Sequence, residues 1–377
     1  MRTDFDVAVA GLGIAGAATA RALACRGLRV LGLDRHERAH GLGSSHGRSR
    51  IIREAYYEHP LYVPLVQRAY TLWAALERES GRQLLALTGG LTIGSPGGTL
   101  VSGALASIRR HGLPHEILDA AGVGRRFPAL TPPPRTVAVF EPRAGVLRAA
   151  DCLDACLSGA ERHGAELRFA EPLLSWAAEV DAVRLHTPVR DVTAGRLILA
   201  AGGWVGSLPG SALELPLTVE RQSVHYFAPR DDATAHAAPV VLWEYEPERV
   251  FYSLPEPAGR IKAAVHHEGE VSSHPDEVRR TVRPEETGRI ARLLRAIAPG
   301  LAATPAGSEV CLYTNTPDGH FVIDALPRSP GVWLLSACSG HGFKFAPALA
   351  EAIADSAAGD PSRLDLSPFR LARFGTR

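Results

Sequence analysis

"DFDVAVAGLGIAGAATARALACRGLRVLGLDR", Asp4–Arg35, decides how this 377-residue chain folds. Val7–Ala10 is a short apolar run that reads as a strand. Gly11, Gly13 and Gly16 then spell G-x-G-x-x-G, a helical pattern runs to Arg26, and Gly27 ends it. A second strand finishes at Asp34. An acid about 20 residues beyond the glycines completes a βαβ dinucleotide-binding unit. In such a unit Gly11 permits the tight turn, Gly13 lets backbone approach a pyrophosphate, and Gly16 lets helix and strand pack closely. The helix N-terminus offers N–H groups to the phosphates, and Asp34 can accept from a ribose. The motif alone does not separate FAD from NAD. Asp34, where a basic residue would be needed, argues only against a 2′-phosphate.

Working outward, Lys plus Arg total 41 and Asp plus Glu total 40, so no global field draws in nucleic acid or an anionic membrane. The longest apolar stretch, Val7–Ala20, is too short and glycine-rich to span a bilayer. Asp4 and Asp6 precede it, where a signal peptide carries positive charge. The expectation is a cytoplasmic protein, a monomer or weak homodimer, with neither nucleic acid nor membrane as partner. Cys25, Cys152, Cys156, Cys311 and Cys338 are an odd, scattered set that suggests no disulfide framework and no metal site.

The rest of the chain mixes helix and strand. Helical patterns fall at Val63–Glu79, Leu100–His111, Asp151–His163 (with Asp151 as cap) and Pro284–Ala298. From Leu215 to Val265 the pattern is mostly strands. "GRLILAAGGW", Gly195–Trp204, is an apolar strand running into small residues, which lets backbone come near a cofactor. The fold class expected is α/β: a discontinuous Rossmann-like cofactor domain, an FAD-binding one on the resemblance given next, with a second α+β substrate domain on a mixed β-sheet. Its boundaries are 1–85, 146–213 and 308–377 for the first, and 86–145 and 214–307 for the second.

Seven segments in order resemble the monomeric sarcosine oxidase and N-methyltryptophan oxidase family. They are "GLGIAGAATA", "SSHGRSRIIREAYYEHPLYVPL", "VFYSLP", "IKAAVHH", "CLYTNTPDGHFVID", "SGHGFKF" and "LDLSPFRLARF", and they run nearly end to end. The resemblance implies FAD, a sheet above the flavin, and oxidation of the C–N bond of a secondary amino acid. A hydride equivalent passes to the flavin, electrons pass to oxygen as hydrogen peroxide, and the imine hydrolyses. The partners implied are thus a small amino-acid substrate and oxygen.

The same resemblance assigns residues. Cys311 matches the cysteine that links covalently to FAD. Arg53 and Lys344 match the substrate-carboxylate clamp, a task for which a guanidinium fork and a point charge are suited. Lys262 matches the lysine over the flavin associated with oxygen, His266 an active-site histidine, and Tyr252 a tyrosine near the substrate. Lys262, Ala264 and His266 share one strand face. His46 and Arg50 match positions around the flavin ring. Gly340 and Gly342 open a loop toward the flavin, so that His341 and Lys344 face the substrate. The helix that follows near Pro347 turns its positive end to the ring. Ser45 stands where a second histidine is usual and Arg48 where an acid is usual. Leu242, Trp243 and Tyr245 are candidates for the side-chain pocket, and Cys338 for packing beside it. Two competing functions remain at this level: a dehydrogenase passing electrons to a protein or quinone, and a flavin-binding module without turnover.

Overall fold

A computed structural model describes residues 3–208, 215–230, 238–256, 259–301, 303–336 and 339–375. The opening stretch folds as its pattern dictates. Strand β1 (Phe5–Ala10) and strand β2 (Val30–Leu33) pair in parallel across the helix Ile14–Ala24. Gly11 turns the chain with φ +99°, a left-handed conformation that favours glycine. A Cβ there would lie 2.6 Å from the Ala200 carbonyl oxygen. At Gly16 a Cβ would lie 1.8 Å from the Gly11 oxygen, so helix and turn touch backbone to backbone.

Three sheets carry the chain. In the first, β9 (Glu166–Arg168), β2, β1, β12 (Asp191–Leu199) and β20 (Val332–Ser336) run parallel in that spatial order. The antiparallel strands β10 (Ser175–Ala178) and β11 (Val183–His186) extend from the first half of β12, and β19 (Val322–Ala325) flanks β20. "GRLILAAGGW" is therefore the end of a central strand beside β1 running into a 3₁₀ turn, and Ala200 and Ala201 between them face the Gly11 turn.

The second sheet is mixed. Its order is β17 (Glu270–Ser272), β13 (Thr218–Ala228), β16 (Ile261–His266), β15 (Arg249–Pro255), β14 (Val240–Glu246), β5 (Gly90–Gly94), β7 (Val137–Glu141) and β6 (Glu116–Asp119). The long strand β18 (Thr304–Asn315) pairs antiparallel with β13 and places Cys311 opposite Gln222. β18 crosses residue 308, so this sheet, and not the parallel one, carries Cys311. A third sheet joins β3 (Ser49–Ile52), β8 (Gly145–Arg148) and β4 (Leu85–Leu87).

The helices sit where the apolar pattern puts them, at Tyr62–Ser80, Thr99–His111, Ala149–Arg162 and Pro284–Ile297. Asp151 is not the cap expected of it: the third of these starts directly after β8. The N–H groups of Arg148 and Ala149, at the mouth of this helix, donate to the carbonyls of Leu84 and Arg48, so neighbouring backbone meets them. Trp73, fully buried on the Tyr62–Ser80 helix, donates from Nε1 to the Lys344 carbonyl at 2.9 Å. Burying an indole removes about 150–250 Å² from water, worth roughly 4–6 kcal/mol as an upper bound. That contact fixes the short 3₁₀ turn Phe343–Phe345, from which the last long helix, Ala346–Ala358, departs with Pro347 in its first turn.

Candidate active site

A cavity of about 650 Å³ runs from the Gly11 turn to the second sheet. Ligand cavities span about 300–1,000 Å³. At the Gly11 end it is walled by Gly11–Ala15 and Ala200–Gly203, by Asp34, and by the side chains of Arg35, His36, His40 and Trp204. Asp34 Oδ2 accepts from the Leu12 N–H at 2.8 Å and Oδ1 from the His36 N–H at 2.9 Å. Each oxygen keeps a further lone pair. The Ile14 N–H, one of the helix donors expected to be open, donates to Ser45 Oγ at 2.9 Å. Ser336 Oγ, at the end of β20, is buried in the wall without a partner among the described residues.

The far end is lined by charge. Lys344 is buried, and its Nζ donates to Tyr56 Oη at 3.2 Å and to the His341 carbonyl at 3.1 Å. Burial, reinforced by Arg53, lowers its pKa to about 7. His341 Nε2 faces the Gly319 carbonyl at 3.1 Å and must carry the proton, which leaves Nδ1 to accept from Tyr56 at 2.7 Å. Burial holds the imidazole neutral, down to about 3. Both ring nitrogens are thus engaged within the protein. Arg53 is buried over the faces of Tyr56 and Tyr57, at 4.2 and 4.7 Å. Its Nη2 meets both oxygens of Glu58, at 2.7 and 2.6 Å. Burial opposes the charge on Arg53, and Glu58 more than offsets this, leaving the guanidinium above its ordinary pKa. The expected clamp residue is already matched by an acid.

The second sheet turns one face to the cavity. Lys262, His266, Tyr252 and Leu242 all line it. Lys262 Nζ donates to the Ser49 carbonyl at 3.1 Å, and burial together with Arg50 lowers its pKa to about 8. His266 Nδ1 lies 3.1 Å from Tyr313 Oη, and burial keeps the ring neutral. Cys311 has Arg50 Nη2 3.8 Å from its sulfur, and Arg50 also donates to the carbonyls of Ser44 and His46. Gly340, at φ +76°, would drive a Cβ to 2.6 Å from the Tyr313 ring. Gly342 has φ −71°, which any residue adopts.

Some expectations do not meet the cavity. His46 is not in its wall; its Nδ1 turns back to the Gly43 carbonyl at 2.9 Å. Trp243 points to the opposite face from Leu242, against Phe251, because successive strand residues alternate. Tyr245 is held outside by Glu268 and Arg289. Cys338 lies outside the described residues. Sequence reasoning missed Tyr56, Glu58 and Tyr313. The last stands two residues after Cys311 on β18, so the period of two was a usable signal.

Residues 6–356 match the model of the FAD-dependent oxidoreductase family. The chain belongs to that family. It is 40% identical over 364 residues to monomeric sarcosine oxidase from Streptomyces avermitilis, covering 95% of this chain and 94% of the relative. It is 33% identical to N-methyl-L-tryptophan oxidase from Yersinia pestis, covering 98% and 100%. NikD, an amino acid oxidase of nikkomycin biosynthesis, superposes with TM-score 0.85 over 97% of both chains at 24% identity. L-proline dehydrogenase from P. horikoshii gives 0.87 over 100% and 99% at 20%. These two likenesses establish the shared fold. By the family match and its two relatives, the protein is an FAD-dependent oxidoreductase of the sarcosine oxidase type, and its cavity fits the cofactor. The Gly11 turn offers a surface no side chain could share, and the orphaned Ser336 hydroxyl gives a polar group to meet. No helix among the described residues is long and apolar enough to cross a membrane.

Proposed function

We propose that the protein oxidises a small secondary amino acid, N-methylated or cyclic, that keeps a free carboxylate, giving an imine and hydrogen peroxide. The observation that carries this is the pair of buried lysines, Lys262 and Lys344, on two sides of one cavity that begins at the dinucleotide turn. The substrates named for the two relatives, sarcosine and N-methyl-L-tryptophan, support the same class.

In this reading Gly11, Gly13, Asp34 and Ser336 hold the dinucleotide, Gly16 shapes the turn, and Arg50 and the Gly340 loop border the ring. Bound FAD supplies the two-electron acceptor. Cys311 is the attachment point, with a guanidinium at its sulfur. Lys344 binds the substrate carboxylate, and Arg53 joins it by exchanging one Glu58 oxygen for a substrate oxygen. The cations favour the neutral, reactive form of the substrate amine. Tyr252 and His266 shape the floor, and the Tyr56–His341 chain holds Lys344 in place. Lys262 presents a charge to oxygen as it is reduced. The parallel sheet with its helices serves as the cofactor domain and the mixed sheet as the substrate domain, in a soluble cytoplasmic enzyme.

A peroxide assay over a panel of N-methyl and cyclic amino acids tests the activity. Peroxide equal to substrate consumed is expected; turnover only with an added artificial acceptor would point to a dehydrogenase. For the attachment, acid-precipitated protein should stay yellow and the Cys311→Ser variant should release its flavin. Full release from the unaltered protein would remove the covalent assignment.

A further inference from the structure

Glu256 has no part in the roles above. It follows β15 in the connection to β16, its N–H donating to the Arg260 carbonyl at 2.7 Å, and it is 3% exposed. Its Oε1 accepts a hydrogen bond from Ser49 Oγ. Its Oε2 is buried with no partner among the described residues. Ser49 is itself fully buried, lines the cavity, and accepts from Lys262 Nζ through its carbonyl. One residue therefore touches both a buried acid and a buried base.

A carboxylate with an unpartnered buried oxygen costs far more than a neutral carboxyl in the same place. Burial accordingly raises the pKa of Glu256 and lowers that of Lys262 to about 8. The other groups acting on the pair are His46, Arg48 and Arg50 from the loop and strand around β3, Tyr226 from β13, and Glu309 and Cys311 from β18.

We propose that Glu256 and Lys262 form a proton-relay pair joined through Ser49, with the Glu256 carboxyl as the proton reserve that restores the Lys262 ammonium after it has given up a proton. The Ser49 hydroxyl first rotates off Glu256 Oε1, so that its oxygen accepts from a proton carried on Oε1; that proton then leaves Oε1 for Ser49 Oγ. The Ser49 hydroxyl proton goes to the Lys262 amine as that amine swings from the Ser49 carbonyl to its hydroxyl. Only O–H and N–H bonds change, and the end state is a carboxylate and an ammonium. Solvent then returns a proton to Glu256. Glu256 is a positioning residue, acting on the cavity only through Ser49 and Lys262. This rests on the reading of Lys262 as the cation that faces oxygen.

Two measurements on the flavin-loaded protein test it. In pH-resolved infrared spectra a neutral-carboxyl band should be present near neutral pH, vanish in Glu256→Gln and shift in Ser49→Ala. In stopped flow, the chemically reduced protein is mixed with oxygen across a pH series. Glu256→Gln should move the alkaline limb about one pH unit lower, a loss of roughly tenfold on that limb. Glu256→Asp should recover part of it, and anaerobic reduction by the amine should be unchanged. A band unaltered in Glu256→Gln, or an unmoved limb, overturns the proposal. If Glu256→Gln does not fold, Ser49→Ala is held to the same two readouts. A reduced wild-type protein indifferent to oxygen would refute the oxidase reading instead, and the carboxyl band would then decide the proton relay alone.

Discussion

The two ends of the cavity are built on different principles. At the Gly11 end the floor is backbone, rimmed by Arg35, His36 and Trp204: a turn, a helix N-terminus and the small residues after β12, in contact so close that the Cβ of an alanine at position 16 would sit 1.8 Å from an oxygen. At the Lys344 end the wall is side chains drawn from four distant segments. There Arg53 is matched by Glu58, and Lys262 and Lys344 are held by neutral acceptors. Backbone walls fix shape and tolerate no added atom. Side-chain walls fix charge, and burial sets how much of that charge survives at neutral pH.

The strongest way to break the contrast is at Gly16. Gly16→Ala should expel the flavin and lower the melting temperature, since overpacking costs about 1–3 kcal/mol or more where backbone cannot yield. An alanine variant that keeps its yellow colour and its melting point would show that the turn has slack.

Next in size is Lys262→Met. Losing one preorganised charge at a developing anion costs about 10²–10³ in rate. That loss should fall on the reaction with oxygen in stopped flow, with anaerobic reduction by substrate nearly untouched. Equal losses in both would take Lys262 out of the oxidative step.

Smaller is Lys344→Met. A charge-assisted bond contributes about 1.5–3 kcal/mol, so KM for the carboxylate substrate should rise at least about tenfold. A substrate lacking the carboxylate should be indifferent to the change. Equal turnover of ester and acid by the unaltered enzyme would defeat the clamp.

The pH dependence sharpens the same point. Lys344 titrates near 7: it is charged below and neutral above. The affinity for a carboxylate inhibitor that does not itself titrate should therefore be full at pH 6. It should weaken as pH rises through 7, by up to about one decade per unit. Isothermal titration that shows a flat profile from pH 6 to 9 would mean that Arg53 alone carries the carboxylate. The smallest effect is expected of Trp243→Leu. It should leave KM within about twofold, because the indole packs on the far face of β14.

Much of this was legible without coordinates, for particular reasons. Asp4–Arg35 codes its own geometry: strand, turn, helix and strand are adjacent in sequence, and each glycine answers to a local need. Lys262 and His266 could be placed on one face because a strand repeats every two residues. The same rule, applied consistently, separates Leu242 from Trp243 and adds Tyr313 to Cys311. The short strands β10 and β11, and the sheet of β3, β4 and β8, left no distinct pattern, being three to four residues each.

By itself, then, the sequence determined the dinucleotide turn and the helices and strands that surround it, because local periodicity and backbone sterics act over a few neighbours, while the family was legible in seven ordered segments that resemble it. The tertiary structure alone decided that Arg53 meets Glu58, that Tyr56 links Lys344 to His341, that His46 faces away, and that Ser49 joins Glu256 to Lys262. Most of these bonds join elements far apart in the chain, and their energies depend on how much water the assembled sheets exclude. No spacing of residue types encodes that quantity.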